Sequence, residues 1–248
     1  MKVVRAELLK AFTTRLLLWY GLGLLAVLVL VISVHVGSDD ATSLSAPDTQ
    51  RMIVEYAGLA AVLAVLLGAV LVTAEYAHGT INQSFLAVPT RERLLGAKLA
   101  AAVLAAIGLA AFGCAVTLVL AELWYEGRGI PLELGGGTLT PFLGALAASA
   151  LAAAIGVGVG AILRRQTLAV VLILVWLLIG EAIINVVGDD ASFAPGHAVA
   201  AVIVAHRDGN AARLGLWPAV ITCLTYAALL VAVGALLVSR SDVESSVS

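Results

Sequence analysis

Residues able to do chemistry are few in this chain, and they are far apart. Four histidines, His35, His78, His197 and His206, form no HxxxH pair, and no serine sits in a GxSxG elbow. Neither a zinc-hydrolase motif nor an activated serine is therefore spelled out. The nearest approach to a phosphate-binding loop is Gly96-Ala97-Lys98-Leu99, with no glycine directly before the lysine and no hydroxyl residue after it. That string cannot cradle a nucleotide as a P-loop does. Cys114 and Cys223 both fall inside apolar runs and read as small buried hydrophobes, not as a disulfide or zinc framework. One carboxylate, Glu181, lies well inside an apolar run, with Asn185 one turn beyond. A charge at membrane depth costs about 3 kcal/mol or more, so Glu181 should face the bundle interior, Asn185 or water. It would either line a substrate path or pin a neighbouring hairpin, or else, protonated or hydrogen-bonded, lock helices together. The longest polar run in the interior is Glu75–Lys98, which carries Glu75, His78, Asn82, Gln83, Arg91, Glu92, Arg93 and Lys98.

The elements that must hold these groups are membrane spans. The 248 residues are 62% hydrophobic and 12% charged, with mean hydropathy +1.08, against about 45–50% and about 25% for a soluble domain. An all-α polytopic membrane protein is expected, with no net basicity toward nucleic acid. Residues 1–15 put Val4, Leu8, Ala11 and Phe12 at helical spacing among Lys2, Arg5, Lys10 and Arg15. This reads as a short basic amphipathic helix in the membrane interface, with a solvated basic tail as the alternative. Apolar runs then follow over Leu16–Val36, Ile53–Ala74, Leu94–Leu120, Leu139–Leu163, Thr167–Val187 and Leu216–Val238. Six transmembrane helices are expected across 16–240, with a tail at 241–248. The first run, about 20 residues, is too long for the core of a secretory signal.

Between the runs, Gly37–Arg51 is polar and rich in turn formers and reads as a loop. Trp124 and Tyr125 stand where an interfacial aromatic belt belongs. Arg164-Arg165 and Gln166 leave room only for a tight hairpin between the fourth and fifth spans. Residues 188–215 are unusual: Phe193–Ala205 is apolar but too short to span, and Pro195 and Gly196 break its start. A re-entrant or interfacial hairpin is expected there. Gly156 and Gly160 form a GxxxG on the fourth span, for packing within the chain or at a dimer seam.

Six spans put both ends of the chain on one side. Lys2, Arg5, Lys10, Arg15, Arg91, Arg93, Lys98, Arg164, Arg165 and Arg240 fall on that side, and only Arg51, Arg128, Arg207 and Arg213 on the other. By the positive-inside rule the ends and the Glu75–Lys98 stretch are cytoplasmic. Within that stretch Gly79 can end the second helix. Ile81, Phe85 and Val88 share one face of a short amphipathic helix that Pro89 stops. Thr90 is placed to cap the third helix, with Glu92 in its first turn.

This arrangement resembles the permease subunits of ABC-2 type exporters over nearly the whole chain. The likeness rests on the basic start ending in Thr13-Thr14-Arg15 and on six spans without an ATPase. It also rests on Glu75-Tyr76-Ala77-His78-Gly79-Thr80 followed by Pro89-Thr90-Arg91-Glu92-Arg93 and Lys98, and on Glu181 followed by Pro195-Gly196. In that family the connector between the second and third spans holds the coupling helix that docks on the ATPase subunit. The resemblance thus implies a coupling segment over 75–93, with its helix at about Gly79–Val88. Its contact residues would be Glu75, His78, Gly79, Thr80, Ile81, Phe85, Pro89, Arg91 and Arg93. It further implies a pair of permeases, identical or sibling, above two separate ATPases that hold ATP and Mg, so that this chain has no cofactor and no catalysis of its own. The cargo would be amphiphilic: a drug, peptide or lipid-like molecule. The competing expectations are a secondary transporter or channel relying on Glu181, and a non-transporting membrane partner of an ATPase.

Overall fold

The computed structural model describes residues 2–80, 90–133, 140–187, 191–204 and 214–245. Among them the chain is all-helical, without a strand, and six helices are long and apolar enough to cross a membrane. The elements are α1 (Lys2–Thr13), α2 (Leu16–Ser38), α3 (Ala41–Leu44), α4 (Pro47–Ala77), α5 (Arg91–Gly127), α6 (Thr140–Leu163), α7 (residues 166–187), α8 (Pro195–Val204) and α9 (Leu216–Ser245). The spans are α2, α4, α5, α6, α7 and α9. The end of the bundle that carries α1 is called the near end, and the opposite one the far end.

Helices α4 and α6 form the centre. In their most apolar windows 61% and 56% of residues are buried, against 17%, 11% and 17% in α2, α7 and α9. The reason is small residues that let backbones touch. A Cβ added at Gly156 would collide with the Val65 carbonyl, and one at Gly160 would lie 2.7 Å from the Ala69 carbonyl, both on α4. From the other side of α6, a Cβ at Gly158 would come within 2.5 Å of Leu230 on α9. Gly156 and Gly160 thus face a neighbour in the same chain.

Several boundaries differ from expectation. The stretch read as a loop, Gly37–Arg51, contains α3 and the start of α4. Pro47 opens α4 in its first turn with Asp48 beside it, which favours a helix start at that position. Gln50, Ile53 and Val54 are then buried. Gln50 Nε2 donates to the Pro131 carbonyl at 3.0 Å, and its Oε1 accepts from Glu133 N–H at 2.8 Å. Tyr125 does not stand in an aromatic belt; it is buried and donates to the Leu44 carbonyl at 3.0 Å. Arg128 donates to the Val36 carbonyl at 2.7 Å, near the C-terminal end of α2, where a cation is favoured. Helix α5, with 37 residues, is about 55 Å long and exceeds the hydrocarbon core. Helix α9 runs on to Ser245, past the expected end of the sixth span.

Candidate functional site: the near-end charge ring and the far-end glutamate

The near end is organised by the exit of α4 and the start of α5. Helix α4 stops where Gly79 adopts φ 67, a conformation that suits a residue without a Cβ. The Gly79 N–H reaches the Tyr76 carbonyl at 3.4 Å and the Thr80 N–H reaches the Glu75 carbonyl at 3.0 Å, a Schellman arrangement. The His78 ring Nδ1 lies 2.7 Å from the Ala74 carbonyl. Helix α5 begins after Thr90, which has the extended backbone of an N-cap but makes no side-chain capping bond; Glu92 lies in the first turn. His78, Gly79, Thr80 and Arg93 are exposed. Ile81, Phe85 and Pro89, with the rest of 81–89, lie outside the described residues, as do the side chains of Arg91 and Asn185.

Behind this surface lies a closed ring of four charges. Lys98 Nζ is 2.8 Å from Glu7 Oε2 and 2.9 Å from Glu75 Oε1. Lys10 Nζ is 2.8 Å from Glu7 Oε1 and 2.7 Å from Glu75 Oε1. Two cations and two carboxylates alternate, so the cluster is formally neutral. Glu7, Glu75 and Lys98 are buried, while Lys10 is half exposed. Burial works against the charge on Lys10, yet hydrogen bonds to Glu7 and Glu75 and the attraction of both carboxylates outweigh it and raise its pKa. The ring ties α1, the end of α4 and the second turn of α5 into one unit. Glu75 and Lys98 are the two ends of the polar stretch singled out in the sequence, and here they touch.

Glu7 is a site residue that the helical spacing of Val4, Leu8, Ala11 and Phe12 does not reveal: Phe12 is 65% exposed and Glu7 is 5% exposed. Positions 4, 7, 8 and 11 form the face turned to the bundle. The signal was present: an acid on the apolar stripe of α1 and a lysine on the apolar stripe of α5, flanked by buried Leu94, Leu95, Ala97 and Ala101. Two charges on faces that must be buried call for each other.

At the far end, Glu181 is buried and its carboxylate is used in full. A π-turn over Trp176–Gly180 interrupts α7. Such a turn brings residues five apart onto one face, and Trp176 Nε1 donates to Glu181 Oε1 at 2.9 Å. The Gly196 N–H donates to the same oxygen at 2.7 Å. His197 Nδ1 pairs with Oε2. Glu181 therefore sits on the N-terminus of α8, the favourable end for an anion. A Cβ at Gly196 would lie 2.8 Å from Glu181 Oε1, so a side chain there would unseat the carboxylate. The far part of α8 is wedged between spans: a Cβ at Gly144 of α6 would lie 2.7 Å from the Val202 carbonyl, and one at Gly58 of α4 would lie 2.5 Å from Ile203. Within 188–215, where a re-entrant or interfacial hairpin is expected, the described part contains the helix Pro195–Val204; residues 188–190 and 205–213 lie outside the described residues.

Among the described residues no cluster of three or more His, Cys, Asp or Glu side chains could hold a metal ion. Set against protein-family models and against curated proteins, the sequence matches none.

Proposed function

We propose that this chain is the membrane-spanning permease subunit of an ATP-driven exporter of the ABC-2 type, located in the plasma membrane with the near end cytoplasmic. One observation carries the reading: the Glu7–Lys98–Glu75–Lys10 ring clamps both ends of the connector between α4 and α5 to the amphipathic helix α1. A connector that takes a push from outside the membrane must pass it to rigid helices, and this one is anchored on both sides. A simple linker needs no such anchor. Ten of the fourteen Lys and Arg residues belong to the near end, which supports its cytoplasmic placement.

In this reading a separate ATPase subunit, carrying ATP and Mg, docks on the 75–93 segment, with Phe85 or Ile81 as the apolar contact and Arg91 and Arg93 setting orientation. ATP binding drives the docked segments, and α1, α4 and α5 of each permease in a pair move together to alternate access for an amphiphilic cargo. Helix α8, held by Glu181, would cap the far end.

The competing assignment, a secondary transporter titrating Glu181, is less well supported. That carboxylate already receives bonds from Trp176, Gly196 and His197, which suits a pin better than a proton carrier. Arg91→Glu with Arg93→Glu tests the docking. The double variant should lose copurification with a co-expressed partner ATPase that the parent chain retains, while its six spans stay folded. Undiminished copurification with full stimulation of ATP hydrolysis would refute the assignment of these arginines.

A further inference from the structure

A cavity of about 540 Å³ opens at the near end where α7 meets the exit of α4. Its wall is made of Tyr76 and Ala77 from α4, Arg164 and Arg165 from the hairpin between α6 and α7, and Gln166, Thr167, Leu168 and Val171 from α7. One end is cationic and the other apolar. Arg164 Nε is buried without a hydrogen-bond partner, and neither arginine has an ion-pair partner among the described residues. A buried guanidinium nitrogen left unsatisfied is uncommon in a folded protein. The backbone adds donors: Arg165 is the N-cap of α7 with no side-chain cap, and the Ala169 N–H is the first to be bonded, to the Arg165 carbonyl at 2.9 Å. The N–H groups of Gln166, Thr167 and Leu168 remain for a ligand. Leu168 and Val171, about half exposed, continue the wall along the lipid-facing side of α7.

From this juxtaposition we infer that the cavity is a binding site for the phosphate headgroup of an anionic phospholipid, with its acyl chains along Leu168 and Val171. Two guanidinium groups and a row of free backbone donors suit a phosphodiester. The apolar continuation suits a molecule that is a phosphate at one end and a hydrocarbon at the other; an inorganic ion would leave that half unused. Its volume falls within the usual range for small-molecule sites, about 300–1,000 Å³. The site lies beside the charge ring but shares no residue with it, and the inference does not rest on the exporter reading. A bound lipid would fix the hairpin between α6 and α7 against the end of α4.

Native mass spectrometry of the full chain, released from bilayers of equal phosphatidylglycerol and phosphatidylcholine, tests this. The expected result is selective retention of phosphatidylglycerol, falling about fivefold in either Arg164→Gln or Arg165→Gln and about twenty-five-fold in the double variant. Thermal melting in pure phosphatidylcholine should stay within a few degrees of the parent, and Arg164→Lys with Arg165→Lys should restore part of the selectivity. Equal retention of both lipids, or selectivity unchanged in the double variant, would overturn the inference. Displacement of the lipid by millimolar inorganic phosphate would also overturn it, assigning the cavity to a free anion. Unchanged lipid retention with loss of a copurifying ATPase would make the arginines a protein contact instead.

Discussion

At the residue scale the account turns on two carboxylates that lie in apolar surroundings for different reasons. Glu75 belongs to a neutral ring, and Glu181 sits on a helix start. Removing one partner from a buried pair leaves a stranded charge, so Lys98→Met should cost about 3 kcal/mol, read as a lower melting temperature in detergent. Glu7→Leu with Lys98→Met should lose less than the sum of the two single changes, since each then removes the other's unpaired group; strict additivity would show that the pair does not interact. Lys10 gives a pH signature. Its pKa is raised in the fold, so its contribution is complete below the ordinary lysine value and is lost only as pH rises through the raised one. Docking of α1, followed by cysteine accessibility at the buried Ala11 position, should therefore hold steady from neutral pH to about pH 10; loosening between pH 7 and 9 would contradict the ring. At the far end, Glu181→Leu should free α8 and Gly196→Ala should loosen it, because the added Cβ meets the carboxylate itself. Protease sensitivity near Pro195 would register both. The sequence announced Glu181 by its depth in an apolar run, but the partners Trp176 and His197 could not be read. One depends on a π-turn and the other on a helix sixteen residues on, and no local pattern encodes either.

At the element scale the spans were legible because about twenty apolar residues in a row have few other fates, and their order followed from counting. What was not legible lies at the joints. Gly37–Arg51 looked like a loop by composition, yet Pro47 and Asp48 were helix-start signals outweighed in that reading by the surrounding Ser and Asp residues. Thr90 looked like a capping residue and occupies the N-cap position, but its hydroxyl makes no capping bond. Arg15, between α1 and α2, holds φ 57, which costs an ordinary residue about 1 kcal/mol relative to glycine. Arg15→Gly should leave the joint as stable or slightly more so, while Arg15→Val should weaken it; equal melting of the two variants would deny that the left-handed geometry matters. Helix α6 shows how far the small-residue pattern reaches. In the sequence Gly156 and Gly160 favour packing within the chain over a dimer seam, and here both abut α4. Gly156→Leu should force α4 and α6 apart and cost about 2 kcal/mol or more.

At the scale of the whole molecule, the architecture is a tight core of α4 and α6 wrapped by helices whose apolar surfaces are left mostly open, as a membrane protein's lipid-facing helices are. Positive charge is sorted toward the near end, and the near end is where the buried ring, the connector and the arginine-lined cavity lie. The sequence pointed to the Glu75–Lys98 stretch as an organising feature. It did not disclose that the two touching ends of the stretch are also tied to Glu7 and Lys10, because those contacts join residues 91 and 65 positions apart. In the exporter proposal a partner ATPase drives the spans through this stretch. The direct measurement is ATP hydrolysis in lipid by the complex purified through a tag on this chain, compared with Phe85→Ala. The account predicts that a P-loop ATPase copurifies with lipid-dependent activity, and that Phe85→Ala uncouples or releases it. Failure of any ATPase to copurify, or full coupling in the Phe85→Ala variant, would contradict it and return attention to Glu181.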